Sequence, residues 1–103
     1  MMAKSRRLPP VHPGEVLKEE FMVPLGLSAN AFARALRVPA NRISAIVNGD
    51  RGLTADTALR LAKALGTTPE FWLNLQKQYE LDCARDAATE LGLIEPIRAR
   101  RTG

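Results

Sequence analysis

Side chains able to hydrogen-bond a base edge or a phosphate are gathered in one short stretch of this chain. Asn41, Arg42 and Ser44 lie within four residues of one another, flanked by small Ala40 and Ala45, and Asn48 and Arg51 follow. Asparagine pairs bidentately with adenine and arginine with guanine, whereas a short serine reads a nearby edge or a water. On that chemistry Asn41 suits adenine, and Arg42 suits either a guanine or the backbone. Asn48 and Arg51 are placed for phosphate. For arginines the competing reading is a solvated helix charge, which is preferred for Arg34 and kept open for Arg42.

Other chemistries find little material here. The single Cys83 rules out an internal disulfide and a thiolate-rich zinc site within one chain. The single His12 removes paired-histidine metal motifs and is read as a helix N-cap or a plain surface residue. No nucleophile–base pair, phosphate loop or metal cluster is present, so no enzyme activity, cofactor or metal is expected. Phe71 and Trp72 are read as core anchors rather than a ligand box. No run approaches the roughly 18 apolar residues that a membrane span needs, and no apolar stretch follows the basic N-terminus. A cytoplasmic chain with no membrane partner is therefore expected.

The charge is unevenly distributed. Of the 103 residues, 46% are hydrophobic and 25% charged, the composition of one ordinary globular domain, with a net charge of +4. Lys4, Arg6 and Arg7 put +3 on the first thirteen residues, and Arg98, Arg100 and Arg101 put +3 on the last six. The body between is slightly acidic. Inside it, residues 28–53 hold Arg34, Arg37, Arg42 and Arg51 against Asp50, a net of +3. This basic island coincides with the hydrogen-bonding stretch, a sharper sign of nucleic acid than the overall charge.

The elements that would position these residues are all helical. Residues 1–12 form a basic arm without apolar periodicity. A helix starts at Pro13 in the first position, carries Val16, Leu17, Phe21 and Met22, and is ended by Pro24 and Gly26. Ser28 caps a second helix to about Leu36. Val38-Pro39 forces a break, and a third helix takes Pro39 as its first residue and closes at Gly49. Thr54 caps a fourth, buried along Ala58, Leu61, Ala62 and Leu65, and Gly66 terminates it. Thr68-Pro69-Glu70 opens a long fifth, followed along Phe71, Trp72, Leu75, Tyr79, Ala84, Ala87 and Leu91 to Gly92. No strand alternation occurs. The expected architecture is all-α, with one domain over 13–97, a helix-turn-helix at about 28–48 and a basic tail at 98–103.

A helix-turn-helix makes specific demands, and residues 27–46 meet them. Ala33 is small enough for the crossing of the two helices. Phe32, Leu36, Val38, Ile43 and Ile46 are apolar where the interhelical angle is set. Residues 27–49 resemble the helix-turn-helix of the phage-repressor-like (XRE) regulators, which pack five helices. More narrowly, five motifs resemble the HigA/VapI-type antitoxins. These are His12-Pro13-Gly14-Glu15, Leu25-Gly26-Leu27-Ser28, Asn41-Arg42-Ile43-Ser44, the stretch from Thr54 to Ala62, and Phe71-Trp72-Leu73-Asn74-Leu75-Gln76. The resemblance covers about residues 12–80. It implies a DNA-binding antitoxin that dimerises, represses its own operon at a palindromic operator, and neutralises a HigB-type mRNA-cleaving toxin. A stand-alone helix-turn-helix regulator without a toxin is the alternative.

Two positions depart from the wider family's pattern. Arg37 stands where that family usually has a turn glycine, and a left-handed arginine costs about 1–2 kcal/mol, so a relaxed turn is expected. Ala29 replaces a glutamine that commonly clamps phosphate. Dimerisation also has a reason of its own, because two-fold pairing presents two recognition helices about 34 Å apart. The long fifth helix and the apolar Leu91, Leu93, Ile94 and Ile97 are candidates for that contact, or else fold back on their own core. The acidic first helix, with Glu15, Glu19 and Glu20, is a candidate surface for a basic toxin.

Overall fold

The structure, a computed structural model, describes residues 9–98. The arm arginines Arg6 and Arg7, with Lys4, and the tail arginines Arg100 and Arg101 lie outside the described residues. Five helices make up the fold, with no strand among the described residues. α1 covers residues 13–25 in three parts: α-helical Pro13–Val16, a π-helical stretch Leu17–Met22 and a last α turn Val23–Leu25. α2 is Ala29–Leu36, α3 Ala40–Val47, α4 Ala55–Leu65 and α5 Pro69–Ala87, and a single 3₁₀ turn follows at Leu91–Leu93. No helix among the described residues is long and apolar enough to cross a membrane.

Local side chains start α1, α2, α4 and α5 where the sequence places a cap. His12 Nδ1 accepts the Gly14 N–H at 2.9 Å, and Ser28 Oγ the Ala31 N–H at 3.1 Å. Thr54 and Thr68 likewise accept from Thr57 and Phe71. The core is drawn from every element. Leu17 and Met22 of α1 meet Phe32, Ala33 and Leu36 of α2, Ile43 and Ile46 of α3, Ala58 and Leu61 of α4, and Trp72 of α5. Trp72 is fully buried, and its indole N–H reaches Thr67 Oγ1 at 2.7 Å, so the ring adds apolar area without an orphaned donor.

Three boundaries differ from expectation. Pro24 does not break α1, because the wider π turn precedes it. The Val23 N–H bonds back five residues to the Lys18 carbonyl, which relieves the crowding a proline ring imposes four residues upstream. Of the two expected stops, Gly26, left-handed at φ 66°, is the one that ends the helix. Pro39 is the N-cap of α3 rather than its first residue, with extended ψ of 145°, so α3 begins at Ala40. α5 stops at Ala87, five residues before Gly92. Past Tyr79 it has no core beneath it, and Ala84, Ala87 and Leu91 are exposed rather than buried. Leu91, Leu93, Ile94 and Ile97 do not fold back, being 56% to 98% exposed.

Candidate nucleic-acid interface

The α2–α3 unit is fixed first by its crossing. Ala33 is buried at 2% exposure, and Phe32, Leu36, Ile43 and Ile46 close around it, while Val38 is half-buried. The turn between the helices is not relaxed. Arg37 takes φ 61° and ψ 46°, the one non-glycine residue of positive φ among those described. Its N–H bonds the Arg34 carbonyl at 3.1 Å and the Val38 N–H bonds that of Ala33 at 3.0 Å, a complete Schellman closure. Arg60 of α4 braces this turn from outside. Its Nη1 donates to the Leu36 carbonyl at 2.9 Å and to that of Arg37 at 3.4 Å. Two carbonyls left over at a helix end thus gain a charged donor, which offsets part of the left-handed strain.

α3 buries Ile43 and Ile46 and turns its other side outward. Asn41, Ala45 and Asn48 recur at i, i+4 and i+7, so they share one stripe. Asn41 and Asn48 are exposed, and Ala45 is half-buried. Ala40 is half-buried against the core, so it shapes the start of the surface more than it contributes to it. Ser44 Oγ donates to the Ala40 carbonyl at 3.3 Å, so in this state the hydroxyl is engaged by its own helix. Arg42 lies one position round from the stripe. Its Nη1 meets Asp56 Oδ2 of α4 at 3.0 Å, and its side chain is only 24% exposed. The same carboxylate oxygen takes Arg60 Nε at 2.9 Å. Asp56 is held below the usual carboxylate range, first by the Arg60 hydrogen bond and then by that of Arg42.

The loop after α3 carries exposed Arg51 and is tied down at both ends. A second Schellman closure starts it: Gly49, at φ 81°, bonds the Ile46 carbonyl and the Asp50 N–H bonds that of Ala45. At the far end Gln76 Oε1, buried in α5, accepts the Leu53 N–H at 2.7 Å, and its Nε2 donates to Glu80 at 2.8 Å. His12 closes the third side. Its ring sits edge-on to Tyr79, with centroids 4.8 Å apart. Burial lowers the His12 pKa more than the Arg51 backbone and the nearby Asp50 and Glu15 charges raise it. Gly14 completes the fit, because a Cβ there would stand 1.8 Å from the Ile46 carbonyl oxygen.

The structure therefore brings Asn41, Ala45 and Asn48 together, keeps Arg51 beside them on a braced loop, and aims Arg42 at α4. Sequence reasoning passed over Gly14, Asp56, Arg60 and Gln76 as contributors to this site. The spacing of Asp56 and Arg60, four apart in one helix, was the one local signal among them.

The helix-turn-helix family profile matches residues 17–72. Virulence-associated protein I of Dichelobacter nodosus is 45% identical over 92% of this chain and 88% of its own length. Antitoxin HigA-1 of Vibrio cholerae serotype O1 is 43% identical over 93% of this chain and 90% of its own. The solved structure of Pseudomonas aeruginosa antitoxin HigA with the higBA promoter superposes with a TM-score of 0.82 at 42% identity. It covers 86% of this chain and 99% of that one.

Proposed function

Because the chain belongs to the helix-turn-helix family of HigA/VapI-type antitoxins, we propose that it represses its own operon and neutralises an mRNA-cleaving toxin of the HigB type. α3 reads a palindromic operator in the major groove, and the Arg51 loop anchors phosphate. The observation that carries this reading is the exposed Asn41–Ala45–Asn48 stripe on a helix braced from three sides. Base readout is favoured by a helix held in place in advance, because less ordering is then left for the complex. Asn41 pairs with adenine, Asn48 and Arg51 hold the backbone, and Ser44 leaves its helix bond to reach an edge or a water. The Pseudomonas aeruginosa antitoxin HigA, solved with the higBA promoter, supports the same partner. Residues 13–97 act as the DNA-reading domain.

A homodimer presents two such helices about 34 Å apart. The exposed Leu91, Leu93, Ile94 and Ile97 supply apolar area beyond the core for that pairing. Glu15, Glu19 and Glu20, all exposed on α1, present a face for a basic toxin. A gel shift with the DNA upstream of the gene tests repression: a retarded, competitor-resistant band supports it, and retardation abolished by any unrelated duplex rejects it. Co-expression with the product of an adjacent small basic reading frame tests the toxin role. Rescue of growth supports the antitoxin. Growth arrest that persists, or no such frame beside the gene, leaves the stand-alone regulator.

A further inference from the structure

We propose that Asp56, on α4 and outside the recognition helix, is a specificity-determining residue that aims the Arg42 guanidinium at a single guanine. This rests on the reading that α3 faces operator DNA. A carboxylate at a phosphate-facing surface is unfavourable unless something offsets it, and here two arginines do. Arg42 Nη1 and Arg60 Nε both meet Asp56 Oδ2, at 3.0 and 2.9 Å, leaving the cluster with a net positive charge. Arg60 is itself anchored on the Leu36 and Arg37 carbonyls. The chain of contacts therefore runs from the α2–α3 turn through Arg60 and Asp56 to Arg42.

That arrangement does two things to Arg42. It removes the freedom of a long side chain before DNA arrives, so less ordering is left for the complex. It also engages Nη1 of the guanidinium with a carboxylate, so the other N–H donors of the planar group remain to meet a base. A fork so held matches the O6 and N7 acceptors of guanine. The adjacent negative charge disfavours phosphate as its target. An untethered Arg42 would instead follow any nearby phosphate and bind all sequences alike.

The test is an anisotropy titration of the full chain with its upstream operator and with single base-pair variants of it. Arg42→Ala identifies the base pair at which its preference disappears. Asp56→Asn should lose about tenfold of the discrimination at that same pair, keep it elsewhere, and bind unrelated duplex as well as wild type or better. In the Arg42→Ala background it should change nothing further. Asp56→Glu, which restores the carboxylate, should recover the preference. Melting curves of each variant separate aim from folding. Full discrimination by Asp56→Asn, a uniform loss at every position, or an undiminished effect without Arg42 would each overturn the assignment. A wild-type chain with no preference for its upstream DNA overturns the DNA-reading function and this inference together.

Discussion

A methyl group on Gly14 would lie 1.8 Å from the Ile46 carbonyl oxygen, so α1 rests on α3 backbone to backbone. Gly14→Ala must push the helices apart, and overpacking of this kind costs about 1–3 kcal/mol or more. Thermal melting should show a clear fall, and an unchanged midpoint would mean that the contact yields freely. Arg37 carries the opposite expectation. Arg37→Gly relieves about 1–2 kcal/mol of left-handed strain and loses about 0.4–1 kcal/mol through the freer unfolded chain. The net is a gain between about zero and about 1.6 kcal/mol, read from denaturant midpoints. His12 gives the site a pH dependence. Its neutral Nδ1 accepts the Gly14 N–H, and burial lowers its pKa from 6.5. The unfolded chain therefore binds the proton more readily in the window just below 6.5, and stability falls as pH drops through that window. His12→Asn, which keeps a capping oxygen without titrating, should flatten this slope in melting curves taken at descending pH.

The starts of α2, α4 and α5 were legible because a cap and its partner lie within three residues: Ser28, Thr54 and Thr68 each accept where local spacing places them. The residues that steady the reading surface were not, because their partners are distant in sequence. Gln76 meets Leu53 across 23 residues and Arg60 meets Leu36 across 24, and no period marks either. Pro24 misled for a related reason, since the π turn that accommodates it belongs to the packing of α1. The end of α5 was overestimated because Ala84, Ala87 and Leu91 continue an apolar spacing with no core beneath it. At this scale Gln76→Ala is the informative change. It orphans the Leu53 N–H, costing about 1–3 kcal/mol. Because Arg51 rides on the same loop, DNA affinity should weaken for all sequences alike. Arg51→Ala should do so without the stability loss, flattening the salt slope by about one unit. Binding titrations at several salt concentrations separate the two.

In the whole molecule the basic island is a positioned feature rather than a bulk charge. Its Arg34 and Arg51 are exposed, while Arg42 is held by Asp56 and Arg37 closes the turn. Only a rigid frame lets so few side chains carry sequence information, and α1, α4 and α5 each brace the α2–α3 unit. Pairing of two copies through the exposed segment at 91–97 would double the readout. Ile94→Asp together with Leu91→Asp should therefore give a monomer by light scattering, with operator affinity down by at least tenfold and folding intact. The most direct test of the central claim is a titration of wild type and Asn41→Ala against the upstream operator and a scrambled duplex. Wild type should prefer the operator by about a thousandfold or more, and Asn41→Ala should lose about 1–3 kcal/mol at one base pair. Equal affinity of the wild-type chain for both duplexes would contradict it.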